Sequence, residues 1–258
     1  MEFEKTRHLL SAVRRGVEQY RMIEEGDRIA VGVSGGKDSL ALLVALSELR
    51  RFYPKQFSLH AISVDMGIPG MDFTPVAEFC KAIDVPFTCV KTEVYKIIFE
   101  VRREANPCSL CAKMRRGILH DSAKAAGCNK LALGHHFDDA VETFVMNLIH
   151  EGRIDCFSPV TYLSRKDLTM IRPMLYATEQ DVAYFARKNT LPIVTNLCPN
   201  DGHSQREAIK QLLREGEKKY PGLRHRLFGA MERGEVGGFG NPTGYSKNGE
   251  CPPIDEQA

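Results

Sequence analysis

Residues 34–39 read Ser-Gly-Gly-Lys-Asp-Ser and have the composition of an anion-binding loop. The loop separates two apolar stretches, so we expect a buried strand before it and a helix after it. Its glycines allow backbone N–H groups to approach an anion, and the helix N-terminus adds partial positive charge. Asp38 fits such a site only if a divalent cation lies between it and the phosphate oxygens. The predicted nucleotide-binding residues are Ser34, Gly35, Gly36, Lys37, Asp38 and Ser39, and Asp38 is also the predicted magnesium ligand.

The loop matches neither of the two common sequence motifs of nucleotide-binding loops. Counted from Gly32, the second glycine of a Walker P-loop would fall on Lys37, and the lysine is followed by Asp38 instead of Ser or Thr. Ser34 occupies the second glycine position of a dinucleotide fingerprint. A plain glycine turn is the structural alternative, but the coincidence of strand, turn, serines and helix favours a phosphate site.

A second cluster of polar residues begins at the end of the largely apolar stretch "KLALGH". His135, Asp138, Asp139 and Glu142 are spaced i, i+3, i+4 and i+7, which predicts that they share one face of a helix. Such a position, just past the carboxyl end of a strand, is where open α/β sheets bind ligands. Acidic residues in a first helical turn also favour the helix dipole, and this structural alternative explains the carboxylates better than it explains His135.

Cys108 and Cys111 form a C-x-x-C pair that fits half a zinc site, a redox pair or part of an iron–sulfur site. There is no second C-x-x-C, but Cys198 stands alone before a proline. Three thiolates would leave one coordination position open, whereas a structural zinc site fills all four. Eight cysteines in a chain that we expect to be cytoplasmic argue against structural disulfides.

Composition is that of an ordinary globular protein, with 43% hydrophobic and 26% charged residues and a net charge of +2. No apolar run approaches the roughly 20 residues that span a bilayer, and the charged N-terminus does not resemble a secretion signal. We therefore expect a cytoplasmic protein without membrane contact. Between Lys96 and Lys130 there are eight basic and three acidic residues. This excess of positive charge indicates either a solvated helix surface or a binding surface for a polyanion such as RNA.

Apolar strands alternate with helices, which predicts an α/β fold with a doubly wound, mainly parallel sheet and flanking helices at both ends. Thr178 and Ser204 each begin a capping box ahead of a helix. The predicted organisation is an N-terminal helix over 1–26, an α/β domain with the phosphate loop and the three cysteines over 27–200, C-terminal helices over 201–233, and a disordered tail over 234–258.

The spelling S-G-G-x-D-S resembles the signature of the PP-loop ATP pyrophosphatases. The resemblance implies that ATP is bound, that AMP is transferred to a substrate oxygen, and that an acidic residue after the second strand, here Asp65, lies near the nucleoside. The spelling G-H-H-x-D-D-x-x-E-T is similar to the tRNA-modifying branch of that family. It implies that Gly134 and His135 lie at the nucleotide, and that Asp138 or Asp139 positions Mg²⁺ or handles a proton.

"CSLCAKMRRGIL", "NLC", "MIEEGDRI" and "IRPM" resemble the tRNA 2-thiocytidine biosynthesis proteins, from about residue 3 to residue 233. The resemblance implies that Cys108, Cys111 and Cys198 ligate a [4Fe–4S] cluster and take part in catalysis with Asp38, Asp138 and Asp139. It implies an AMP-forming tRNA sulfurtransferase, a cysteine desulfurase or sulfide as the sulfur donor, and a homodimer. The alternatives are thiolation of another tRNA base, of the 2-thiouridine type, and a non-catalytic nucleotide-binding iron–sulfur sensor.

Overall fold

A computed structural model describes residues 3–102, 107–195, 197–198 and 205–245. Its centre is one six-stranded sheet in the order β3-β2-β1-β4-β6-β5. All neighbouring strands are parallel except β5, which runs antiparallel to β6. The predicted mainly parallel, doubly wound sheet is thus confirmed. The strands are β1 Asp27–Gly32, β2 Phe57–Asp65, β3 Phe87–Lys91, β4 Lys130–Ala132, β5 Val160–Leu163 and β6 Leu168–Ile171.

The order of the strands reverses beside β1, since β2 and β3 lie on one side of it and β4, β6 and β5 on the other. Val31 of β1 is level with Ala132 of β4. The two strands therefore end side by side, and the loops that follow them meet at the carboxyl edge of the sheet. Ligands of open α/β sheets bind at such a switch point.

Eight α-helices flank the sheet within the described ranges, and three short helical turns add to them. Ten of the 13 residues of α2 are buried, so this helix is covered on several sides. The α-helices are α1 Thr6–Gln19, α2 Lys37–Leu49, α3 Thr74–Ala82, α4 Pro107–Ala125, α5 Phe137–Met146, α6 Glu179–Lys188, α7 Gln205–Lys219 and α8 Leu223–Arg233. The short turns are the π-helices Lys96–Val101 and Asn147–Glu151 and the 3-10 helix Val236–Gly238.

The cap of α6 is as predicted: the Thr178 hydroxyl accepts a hydrogen bond from the Asp181 N–H at 3.1 Å. The second predicted cap, at Ser204, lies outside the described residues. Strand β5 was not predicted, because its four residues are mostly half-buried and carry no clear apolar alternation. Within the described ranges, no helix is both long and apolar enough to cross a membrane.

The prediction of disorder from residue 234 is wrong for residues 234–245. Phe239 is fully buried, and its ring meets the Phe228 ring of α8 edge-on at 5.5 Å. Val236 is also buried. The low apolar content of the segment hid these two anchors, and burial of single large side chains is enough to hold a short extension. Residues 246–258 lie outside the described part of the chain.

Candidate functional site

The loop between β1 and α2 forms a compact hydroxyl-lined turn. The Ser34 N–H donates to the Ser39 Oγ at 3.1 Å, and the two serine Oγ atoms lie 3.2 Å apart. The Ser39 hydroxyl donates to the Gly36 carbonyl at 2.9 Å. Gly36 is the N-cap of α2 and provides no side-chain cap, so the first N–H groups of α2 can donate to an anion. This is the geometry of an anion site at a helix N-terminus.

Gly35 takes a conformation that only glycine adopts readily, with φ +84°. A Cβ at this position would lie 2.8 Å from the Cβ of Val194, so the loop backbone is packed directly under that side chain. The Val194 N–H donates to the Gly35 carbonyl at 2.9 Å. The loop is therefore held from outside by the segment that follows α6.

Asp38 lies between the phosphate loop and the loop after β4. Its carboxylate accepts from the Lys37 ammonium at 2.9 and 3.1 Å and lies 3.7 Å from the Nε2 atom of His136. A Cβ on Gly134 would be 3.1 Å from the Asp38 carbonyl carbon and oxygen. The absence of a side chain at Gly134 thus allows the two loops to touch, as their adjacent strands require.

Helix α5 begins at Phe137, so His135 is not on its carboxylate face, and the predicted four-residue face is wrong for His135. His136, which the sequence did not single out, is the N-cap. Its backbone N–H donates to the Asp139 carboxylate at 3.0 Å, and its Nδ1 accepts from the Asp139 N–H at 3.4 Å. A histidine cap in this reciprocal box is uncommon, since Ser, Thr, Asp and Asn lead at this position.

The two adjacent aspartates of α5 are engaged by other elements. Asp138 is buried, accepts from the Glu179 N–H at 2.7 Å, and forms a close ion pair with Arg224 of α8. Asp139 pairs with Arg206 of α7 at 2.8 Å as well as with the N-cap backbone. Asp138 therefore joins the first turns of α5 and α6, and both carboxylates have cationic partners.

Glu142 lies one turn further along α5 and is fully buried. Neither of its carboxylate oxygens has a hydrogen-bond partner among the described residues. The nearest cations are Arg206 at 3.6 Å and Lys210 at 3.9 Å, both on α7. Burial raises the pKa of Glu142 to about 7, because the attraction of Lys210 and the other nearby cation offsets only part of the desolvation.

Lys210 also links the carboxylate helix to the phosphate loop. Its ammonium lies 3.2 Å from the Glu179 Oε1 atom, and the Lys37 ammonium lies 3.4 Å from the same atom. Burial acts to raise the pKa of Glu179, but Lys210 and Lys37 outweigh it and hold that pKa below its usual value. Sequence reasoning missed Lys210 and Arg206, because helical periodicity around them shows only an amphipathic surface helix.

His135 lies behind this network, next to Phe157, with ring centroids 5.0 Å apart. Its Nδ1 is buried without a hydrogen-bond partner in the described chain. Burial and then the charge of Arg172 lower the pKa of His135 well below its ordinary value, so the ring is neutral at neutral pH. Arg172 is itself buried; it donates to the Ser158 carbonyl, and burial lowers its pKa to about 10.

The carboxyl end of β2 places Asp65 at the same edge of the sheet as the phosphate loop. Its side chain accepts from the Gly67 N–H at 2.9 Å and so closes a turn after the strand. The carboxylate remains partly exposed on that edge. Its position is compatible with the role at the nucleoside that the resemblance implies.

The C-x-x-C pair opens helix α4, with Cys108 exposed and Cys111 half-buried; Cys198 is half-buried as well. Burial raises the pKa of the Cys111 thiol, and the nearby thiols of Cys198 and Cys108 raise it further. The positive charge of Arg115 lowers this pKa but does not cancel the effect of burial. The three predicted cysteines therefore share one region. Among residues that the structure describes, no three His, Cys, Asp or Glu side chains are arranged to hold a single metal ion.

Three basic residues lie within the next turns of α4, and their side chains are exposed: Lys113, Arg115 and Arg116. They form a positive surface directly beside the cysteine region. This is the position from which a polyanion bound near the cysteines would be contacted.

Comparisons with known proteins agree on one protein family. The family model of the PP-loop domain matches residues 7–215. A tRNA-cytidine(32) 2-sulfurtransferase from Geobacter metallireducens is 40% identical over 237 residues, which covers 90% of this chain and 92% of the relative. The protein of that name from Geobacter sulfurreducens is 41% identical over 224 residues, which covers 86% of this chain and 87% of the relative.

The fold is similar to a solved structure, the U34-tRNA thiolase NcsA from Methanococcus maripaludis with its [4Fe–4S] cluster. The TM-score is 0.71 at 26% identity, and the match covers 86% of this chain and 77% of the other. The phosphate loop at the switch point agrees with these matches. The chain therefore belongs to the PP-loop family and, within it, to the family of the tRNA-cytidine(32) 2-sulfurtransferases.

Proposed function

We propose that this protein is an ATP-dependent tRNA sulfurtransferase that forms 2-thiocytidine in the anticodon loop. The observation that carries the proposal is the 40% identity to tRNA-cytidine(32) 2-sulfurtransferases over 90% of the chain. The phosphate loop and the three-cysteine region give the two halves of this chemistry, activation by a nucleotide and delivery of sulfur.

The nucleotide phosphates bind at residues 34–39, with the N–H groups of the first turn of α2 as donors. Asp38 is the best magnesium ligand of the three aspartates. Its side chain is 33% exposed, against 20% for Asp139 and 6% for Asp138, and only Asp38 lies in the loop itself. Asp139 and Asp138 act by orienting the surrounding cations. The family resemblance implies that Gly134 and His135 contact the nucleotide from the adjoining loop, and the close approach of Gly134 to the Asp38 backbone supports this for Gly134.

The reaction begins when the O2 atom of the cytidine attacks the α-phosphorus of ATP. The bond from that phosphorus to the bridging oxygen breaks, and pyrophosphate leaves with the electron pair. The base then carries AMP as a leaving group at C2. Sulfur at the oxidation level of sulfide, as HS⁻, adds at C2, AMP departs with the former O2 atom, and the proton of HS⁻ is lost to solvent. Sulfur that a cysteine desulfurase delivers as a persulfide reaches this level by two-electron reduction with a thiol reductant. Lys37 and Lys210 of α7, whose ammonium groups meet at the Glu179 carboxylate, stabilise the charge on the phosphates.

Cys108, Cys111 and Cys198 fit a [4Fe–4S] cluster by the chemistry of their donor atoms. Thiolates are the ligands that such clusters prefer, and no fourth cysteine of this region completes a zinc-type set. When bound, the cluster supplies an iron without a protein ligand, where sulfide can be held.

tRNA is the substrate, and its target base must be unpaired to reach the site, as in an anticodon loop. The exposed cations beside the cysteines, Lys113, Arg115 and Arg116, bind the phosphate backbone of the tRNA. We further propose that a cysteine desulfurase or free sulfide provides the sulfur and that the protein acts as a homodimer. Light scattering of the purified protein tests the dimer; a monomer at working concentration would refute it.

The test is anaerobic reconstitution with Mg²⁺, ATP, sulfide and bulk tRNA, followed by mass analysis of the nucleosides. We expect 2-thiocytidine together with AMP and pyrophosphate, and about four iron atoms per chain. A 2-thiouridine product would move the activity to another base. Failure to form AMP and pyrophosphate in the presence of tRNA would favour the non-catalytic iron–sulfur sensor.

Matched variants separate the two halves of the reaction. Asp38→Ala should abolish AMP formation while the iron content stays unchanged, and Asp121→Ala, which removes an exposed carboxylate of α4, should have no effect. Cys198→Ser should lower the iron content and abolish thiolation. Cys89→Ser, which changes a half-buried thiol on β3, should leave both intact. Retained activity in Asp38→Ala would refute the magnesium assignment.

A further inference from the structure

The segment that follows α6 connects the phosphate loop with the third cysteine. It is anchored at its start by Leu191, which is buried in the main core. Three residues later, the Val194 N–H donates to the Gly35 carbonyl at 2.9 Å. This is a main-chain hydrogen bond between the phosphate loop and a part of the chain about 160 residues away in sequence, so it fixes the segment on the loop.

Side-chain packing reinforces this hydrogen bond. The space in which Gly35 would carry a side chain is filled by Val194, whose Cβ and Cγ2 atoms lie 2.8 and 2.9 Å from an ideal Cβ position. Val194 thus occupies the side-chain position of Gly35 and lies against its backbone, so a shift of that backbone on ligand binding would displace Val194 as well. Further along, the Leu197 Cδ1 atom lies 3.1 Å from the corresponding position on Gly70, so the segment is also held after β2.

Cys198 follows Val194 by only four residues. An extended chain spans at most about 3.6 Å per residue, so the two backbones are within roughly 14 Å of each other. Cys198 directly follows Leu197, whose Cδ1 atom lies next to Gly70 in the loop after β2. Cys111 of the C-x-x-C pair packs, together with Ile68 of the same loop, against one small apolar cluster. Val194 at the phosphate loop and Cys198 in the cysteine region are therefore only four residues apart in the sequence.

We propose that Val194 is a positioning residue that couples the phosphate loop to Cys198, so that nucleotide bound at Gly35 changes the placement of the third cysteine. The proposal rests on the proposed function, since it needs ATP at this loop and a role for Cys198 in sulfur delivery. A sulfur transfer that follows adenylation benefits from such coupling, because the sulfur must reach an atom next to the α-phosphate.

The test measures alkylation of Cys198 in the cluster-free, full-length chain, with and without Mg·ATP. Iodoacetamide is the probe, and mass spectrometry of the peptides gives a rate for each cysteine. In the unchanged protein, we expect Mg·ATP to alter the Cys198 rate at least threefold and to leave the Cys89 rate unchanged. Val194→Gly removes the contact with Gly35 and should reduce the effect of Mg·ATP on Cys198 to less than 1.5-fold.

Ile193→Gly is the matched control, because it adds the same backbone freedom one residue earlier at an exposed side chain. It should keep the threefold response. Calorimetric titration with Mg·ATP separates the two hypotheses: absence of binding would refute the proposed function and this proposal with it. Binding without any change at Cys198, or an undiminished response in Val194→Gly, would overturn the coupling alone. In the reconstituted enzyme, Val194→Gly should lower kcat for thiolation and leave the KM for ATP within twofold.

Discussion

Replacement of Glu142 by glutamine should stabilise the protein at neutral and alkaline pH. Glu142 is fully buried, and its pKa is raised from 4.5 to about 7. Between these two values the folded chain holds a proton that the unfolded chain has released, so folding stability falls as pH rises. The stability that the neutral carboxyl provides is complete below pH 4.5 and is lost as pH rises through 7. Each pH unit corresponds to about 1.4 kcal/mol, so the loss totals about 3 kcal/mol.

Glutamine has nearly the shape of the protonated carboxyl and does not ionise. The free energy of unfolding of Glu142→Gln should therefore lack this decrease. The difference between the variant and the unchanged protein should be small near pH 4.5 and should reach about 3 kcal/mol at pH 8. Titration of other groups contributes equally to both proteins and cancels in the difference.

Urea unfolding followed by circular dichroism, at half-unit steps from pH 5 to pH 8.5, measures this difference. Glu18→Gln is a suitable control, because Glu18 pairs with Arg14 on the exposed face of α1 and its loss should change stability by less than about 0.5 kcal/mol at any pH. Parallel curves for Glu142→Gln and the unchanged protein would refute the reasoning. They would mean that Arg206 and Lys210 keep Glu142 ionised at all these pH values.

Three further outcomes test other parts of the site. Arg224→Met leaves the buried Asp138 without its cationic partner and should lower the free energy of unfolding by about 3 kcal/mol. Adding Asp138→Asn to this variant should largely restore the stability, and additive losses in the double variant would contradict the pairing. Thr178→Ala removes the α6 cap and should cost about 1 kcal/mol by urea unfolding, and an unchanged midpoint would argue against the Asp181 hydrogen bond. Lys210→Met should raise the KM for ATP about tenfold, with Lys210→Arg intermediate, and an unchanged KM would remove Lys210 from the phosphate site.

The phosphate loop, the sheet and the family could be predicted from the sequence, because each depends on a local sequence motif or on a regular apolar pattern. The run Ser34–Ser39 needs a strand before it and a helix after it, and both are where the apolar pattern predicts them. The cap at Thr178 is equally local. The family that the motifs predict is confirmed by the matches to known proteins.

Features that depend on distant contacts were not predictable. Arg206 and Lys210 are 64 and 68 residues away from Glu142 in sequence, and nothing in the pattern of α7 distinguishes them from solvated cations. The assignment of His135 to the carboxylate face failed for a different reason. Spacing alone does not reveal where a helix begins, and the cap at His136 starts α5 only after His135.

The distant cations also explain how a phosphate site tolerates so many carboxylates. Asp138, Asp139 and Glu179 each contact an arginine or lysine from α7 or α8. Burial raises the pKa of Glu142 to about 7, so this carboxyl carries only part of its charge at neutral pH. The repulsion that these groups would exert on ATP is therefore largely cancelled before the nucleotide arrives. Asp38 has no partner from those helices among the described contacts, which leaves it as the carboxylate best able to share a magnesium ion with the phosphates. The C-terminal helices, by this reasoning, belong to the nucleotide site as much as the loop does.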